Sequence, residues 1–238
     1  MCHPWHTHDV SLDQLWTVHV APDPHLLGRL LARHRERHRH YHTVDHVTAV
    51  VRTVVVLAHA HTTDAADARA APANRDPEDR DPAHHDTTRI VDLGAVVAAA
   101  FYHDAVYEPA SPSNERASAR LARRDLGVLG WEPTRAAHVA DLIEATANHV
   151  DPPDIDHALL FDADLAILGA PAPTYDAYVR AVRAEYRHLD DAAWQRGRAA
   201  VLESFLNRPT LYSTSTGRER WEHAARTNIA TELEALRT

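Results

Sequence analysis

Lysine is absent from this 238-residue chain, cysteine occurs once and glycine only 7 times. Without lysine there is no Schiff-base nucleophile and no P-loop lysine. Any phosphate clamp must then use arginine, histidine, backbone amides or a metal. The single Cys2 leaves no intramolecular disulfide and no cysteine-built zinc or iron–sulfur site. Scarce glycine beside abundant alanine, leucine and valine favours helix. No run approaches the length of a membrane span, and Met1 to Val10 lacks an apolar signal-type segment. The expectation is a soluble, cytoplasmic protein with no membrane partner. A formal net charge of -9 supplies no basic excess for a nucleic-acid polymer. The one local basic stretch, Arg29 to Arg39, reads as a solvated helix face.

What is present in excess is histidine, 20 residues of it. Many lie in polar stretches (His3, His6, His8, His34, His38, His84, His85) and read as surface decoration. Only histidines set beside apolar periodicity suggest chemistry. The chain length suits one domain with a substantial core.

In chain order, residues 1–24 read as a polar arm containing Trp16. Leu26, Leu27, Leu30 and Leu31 recur at helical spacing with arginines opposite, an amphipathic helix over His25 to Arg37. Thr43 and Asp45 are start signals for a buried helix to about His61, with Val47, Val50, Val51, Val54 and Leu57 on one face. Thr62 to Asp86 has no apolar periodicity and reads as a long insertion, flexible over residues 62–87. A second buried helix, Thr88 to Asp104, ends in His103-Asp104. Ser113 is the expected N-cap of a helix from Asn114 to about Gly127. Pro133 opens another that continues to His149 and is stopped by Asp151-Pro152-Pro153. Ile155–Leu168, Tyr175–Arg187, Ala192–Leu206 and Gly217–Leu236 complete an all-α chain.

Four features then fall in register: His46 at a helix start, His103-Asp104 at a helix end, His149 at a helix end, and Asp164 within an apolar helix. An ionised carboxylate among Ala163, Leu165, Ile167 and Leu168 is costly unless paired or bound to a cation. One divalent metal held by His46, His103, Asp104 and Asp164 accounts for these four residues, and this donor set suits Mn, Fe, Co, Ni or Zn. His42, four residues before His46, reads as a residue that orients a ligand.

These pieces resemble the HD-domain superfamily of metal-dependent phosphohydrolases, whose signature is a histidine, an adjacent His-Asp pair and a distant aspartate on successive helices. More narrowly, several segments resemble an uncharacterised bacterial subgroup of predicted HD hydrolases. They are Tyr41-His42-Thr43 with His46, His103-Asp104-Ala105-Val106-Tyr107, Asn114-Glu115-Arg116-Ala117-Ser118-Ala119 and Asp162-Ala163-Asp164-Leu165. The likeness continues through Tyr178, Arg183, Glu185, Tyr186, Arg208, Tyr212, Glu222 and Asn228. It spans roughly Leu26 to the C-terminus, with the Thr62–Asp86 insertion unmatched.

The resemblance implies an HD-like helical bundle with additional C-terminal helices, in which His46, His103, Asp104 and Asp164 ligate the metal, magnesium being a further possibility. Asp162 and Asp164 project about 200° apart on a helix, so only one can face the metal. Asp164 is preferred because it precedes Leu165 as in the family pattern. The implied reaction is attack of a metal-activated water on a phosphate ester or anhydride, with nucleotides among the candidate substrates. Glu115, then Glu108, are the candidate proton acceptors, with Asp104 able to share that role. His149, Asn114, Arg116, Arg183 and Arg208 are candidate contacts to a small phosphorylated substrate. Two other readings stay open: a di-iron HD-type oxygenase that recruits His149, and a non-enzymatic binding module stabilised by metal.

Overall fold

The computed structural model describes residues 10–70, 91–109 and 111–237. Among them the chain forms ten α-helices and no strand, as the scarcity of glycine and the absence of strand alternation imply. The central element is α4 (Leu93–Tyr102). Asp92 caps it by accepting from the Ala95 N–H at 3.0 Å, and every residue from Ala95 to Tyr102 is buried. A helix that is apolar all round has no solvent face and must be enclosed. Five helices enclose it: α1 (Leu12–His19), α3 (Val44–Ala70), α5 (Asn114–Val128), α6 (Pro133–Ala145) and α7 (Ile155–Leu165). The face of α3 expected from spacing, Val47, Val50, Val51, Val54 and Leu57, is the buried one.

A second apolar core gathers the end of α7, a 3-10 turn (Ala166–Gly169) and α8 (Ala172–Glu185) with α9 (Asp191–Leu206) and α10 (Ser215–Leu236). Its centre is Leu168, Leu202, Tyr212, Ala225 and Ile229. Asp162 ties α7 to the start of α10. Its buried carboxylate accepts from the N–H of Ser213 (2.8 Å), the N–H of Thr214 (2.8 Å) and the Thr214 hydroxyl (2.7 Å). Gly217 is needed there, since a Cβ would come within 2.5 Å of the Asp162 Oδ2.

Several sequence expectations are corrected. Residues 12–19, expected in an irregular arm, form α1. Ser11 and Gln14 close a reciprocal capping box, and Trp16 is fully buried edge-on to Phe101 with ring centres 5.1 Å apart. The amphipathic helix expected to reach Arg37 is α2 (Pro24–Arg33), capped by Asp23. Residues 62–70, expected inside the insertion, continue α3. The helix expected from Thr88 begins at Leu93, where Asp92 caps it. The helix expected to reach His149 stops at Ala145, after which the Thr146, Ala147 and Asn148 N–H groups donate to carbonyls three residues back instead of four. Cys2, the remainder of the insertion (71–87) and residues 88–90 lie outside the described residues, as do residues 1–9.

Candidate metal centre

Three helix ends converge between the two cores. His46 lies in the first turn of α3, His103 is the C-cap of α4, and Asp164 lies in the last turn of α7. The Nε2 atoms of His46 and His103 approach to 3.1 Å. Asp164 Oδ1 stands 3.2 Å from the first and 3.6 Å from the second. Asp104 Oδ2 is 3.4 Å from His46 Nε2 and 3.1 Å from His103 Nε2.

This donor set fits a divalent cation. With metal–ligand distances near 2.1 Å, neighbouring ligand atoms fall roughly 3.0–3.5 Å apart. His46, His103 and Asp164 each offer one atom to such a cluster. Nδ1 of His103 lies 2.9 Å from the Ala100 carbonyl, to which it donates, so Nε2 is the nitrogen turned to the cluster.

Without a cation the cluster holds itself by charge. Burial disfavours the imidazolium of His103, but the Asp104 and Asp164 carboxylates outweigh it and raise its pKa well above the ordinary histidine value. The same balance raises His46. Asp104 and Asp164 are held well below the carboxylate range: burial opposes this, and the facing histidines prevail. A metal would therefore take the place of protons.

Of the two aspartates in the last turn of α7, Asp164 faces the histidines and Asp162 faces away, accepting from Ser213 and from Thr214, the N-cap of α10. The second Asp164 oxygen, Oδ2, bonds to His149 Nε2 at 2.9 Å. His149 has a left-handed backbone (φ 46°), rare for a residue with a Cβ. Arg208 holds it there, donating to the carbonyls of His149 (2.5 Å) and Asn148 (2.9 Å).

The other candidates lie elsewhere. Among the described residues, neither the Glu115 nor the Glu108 side chain bonds to His46, His103 or Asp164. Asn114 is buried and spans the Glu108 backbone, donating to its carbonyl and accepting from its N–H, both at 3.0 Å. Arg116 is exposed at the start of α5. Arg183 closes the end of α8, donating to the Tyr186 and Leu189 carbonyls and pairing with Asp191 at 2.7 Å.

Two residues at the centre carry no role in the sequence-based expectation. Arg39, expected on a solvated helix face, is buried beyond the end of α2. It donates to the carbonyls of His42 (3.1 Å), Asp104 (2.7 Å) and Ala105 (3.3 Å). The only available signal was its place directly before His40-Tyr41-His42. Glu185 is buried and bonds to His42, and no periodicity marks it. His42 itself lies in the turn before α3, its Nε2 3.9 Å from Asp104 Oδ2. The Tyr41 ring packs between His46 (4.8 Å) and Tyr178 (4.7 Å).

Compared with known protein families, curated proteins and solved structures, the chain matches none. Among the described residues no helix is long and apolar enough to cross a membrane.

Proposed function

We propose that this chain is an HD-type metal-dependent phosphohydrolase acting on a small phosphate ester or anhydride. One observation carries the reading: two imidazole nitrogens 3.1 Å apart, with carboxylate oxygens of Asp164 and Asp104 at 3.1–3.6 Å from them. Such a set is costly to bury unless a cation or protons neutralise it. His46, His103 and Asp164 would hold the metal with Asp104 as the fourth ligand. When bound, a divalent metal polarises a phosphoryl oxygen and lowers the pKa of water.

The chain's own residues supply orientation and proton handling. Ala100 fixes the face that His103 presents, and His149 steadies Asp164 from its second oxygen. Asp104 turns Oδ2 toward the imidazoles, and its other oxygen is a candidate to accept a proton from attacking water. Glu115 and Glu108 would have to reach the site with substrate bound.

The test is metal analysis of the purified protein, followed by a hydrolysis screen with Mn, Fe, Co, Ni, Zn and Mg. Nucleoside mono-, di- and triphosphates and aryl phosphates are the substrates. Turnover that disappears in His103→Ala and Asp164→Ala supports the reading. Silence across all metals and substrates rejects it in favour of a metal-stabilised binding module. A stoichiometry of two irons per chain would instead favour oxygen chemistry with His149 as a further ligand.

A further inference from the structure

Glu185, outside the ligand set, is the most heavily bonded carboxylate near the centre. It is the last residue of α8, its side chain has no solvent exposure, and it lies far along the chain from the segments it touches. Oε1 accepts from three successive backbone N–H groups, those of His40 (2.7 Å), Tyr41 (2.8 Å) and His42 (3.0 Å). Oε2 accepts from His42 Nδ1 (2.7 Å) and from the Tyr107 hydroxyl (2.9 Å).

The location is unfavourable twice over. A buried carboxylate loses its hydration, and the C-terminal end of a helix already carries partial negative charge. Joining α8 to the first core would need only apolar contacts. What the carboxylate adds is direction. An ionised carboxylate only accepts, so His42 must present Nδ1–H to it, which points Nε2 at Asp104 Oδ2, 3.9 Å away. The Tyr107 ring lies under that imidazole with centres 4.2 Å apart, three residues after Asp104. The same turn sends the Arg39 guanidinium to the carbonyls of His42, Asp104 and Ala105. The turn between α2 and α3 is therefore gripped through its amides by Glu185, while its arginine grips the backbone of the His-Asp pair.

We propose that Glu185 is a positioning residue of the metal centre. From α8 it holds His42 toward Asp104 and, through Tyr107 and the 40–42 turn, sets the orientation in which Asp104 meets the imidazoles of His46 and His103. The C-terminal helices are then part of the site's construction, because without α8 the residues that aim Asp104 lose their anchor. This rests on the reading of His46, His103, Asp104 and Asp164 as metal ligands.

The experiment uses the full chain, freed of metal and titrated with Co2+ alone. Affinity is read by calorimetry, ligand geometry by the visible absorption of the bound ion, and the His42 tautomer by 15N chemical shifts. Glu185→Gln preserves shape and leaves one oxygen for the three amides. It sets an NH2 against His42 Nδ1 and the Tyr107 hydroxyl. The expected result is unchanged helix content, Co2+ affinity weakened about 10- to 100-fold, an altered absorption band, and a His42 ring moved to its other tautomer.

A folded E185Q that binds Co2+ within twofold of wild type, with the same spectrum, overturns the inference while leaving the metal centre standing. If E185Q does not fold, Tyr107→Phe decides. Loss of one hydroxyl bond should weaken Co2+ about threefold to tenfold, and unchanged affinity and spectrum overturn the inference. A wild-type chain that takes no Co2+, or whose binding survives His103→Ala, fails earlier and overturns the metal centre itself, and the inference with it.

Discussion

Replacing Asp162 with asparagine separates it from Asp164, two residues on in α7, by what each carboxylate holds. Asp162 Oδ1 accepts from the Ser213 N–H, and Oδ2 accepts from both the Thr214 N–H and the Thr214 hydroxyl. That hydroxyl oxygen also accepts from the Gly217 N–H at 2.9 Å, which fixes its own proton toward Asp162. An asparagine has one oxygen and one NH2 in the same two places. Its better orientation keeps Thr214 satisfied and turns NH2 against the Ser213 N–H. One charge-assisted bond, worth roughly 1.5–3 kcal/mol, is lost, and two become weaker neutral ones. Removing a carboxylate whose pKa burial has raised returns part of that cost. The net destabilisation should be about 2–3 kcal/mol, or a fall in Tm of about 4–12 °C for a chain of this length. Thermal and urea unfolding with a chelator present measure it, and metal titration of the folded protein should be unchanged. Asp164→Asn should do the reverse, removing the metal with a separate effect on metal-free stability. If D162N melts with wild-type protein and cannot bind metal while D164N can, the assignment of the two carboxylates is backwards.

Because paired carboxylates raise His46 and His103, metal must displace protons, and affinity should fall as pH drops, by about tenfold per pH unit for each proton released. Calorimetry in buffers of different ionisation enthalpy counts those protons, and a pH-independent affinity would refute the cluster's charge balance. Burial alone would raise the Glu185 carboxyl, but His42 and the amides of Tyr41 and His40 outweigh it and hold it at about 2. A folded pKa below the unfolded 4.5 means this stabilisation is complete above about 4.5 and is lost as pH falls toward 2. Acid unfolding should therefore show a loss on the order of 3 kcal/mol in that window that is absent from E185Q. In the second core Arg198 grips Glu232 at 2.8 and 3.0 Å, with the Tyr175 hydroxyl also on that carboxylate. Arg198→Met should cost about 3–5 kcal/mol in urea unfolding, and the further change Glu232→Met should recover most of it. Strict additivity of the two changes would count against coupling.

Local pattern was legible where one side chain decides its own environment. The spacing of Val47, Val50, Val51, Val54 and Leu57 marked the inner face of α3, and the unbroken Val96–Phe101 run marked a helix enclosed on all sides. The four residues singled out as ligands lie together because each combines a polar group with an apolar flank, a costly pairing that sequence alone can register. Asp92 could not be seen as the residue that starts α4, because the stretch before it also reads as helix. Trp16 gave no sign of its full burial, since α1 is too short for periodicity to speak.

The sequence by itself determined the helical class of the described residues, excluded lysine chemistry and a cysteine-built metal site, and put a histidine, a His-Asp pair and an aspartate on successive helices. Tertiary structure alone decided which aspartate of α7 faces them, because the two point about 200° apart from one turn and only packing shows which side meets the histidines. It alone showed Arg39 and Glu185 at the centre, one expected in solvent and the other without apparent chemistry. A charged residue is called inward by partners that lie distant in the chain, here a carbonyl at Asp104 and amides at His40 to His42. Those partners exist as a group only once the helices have packed.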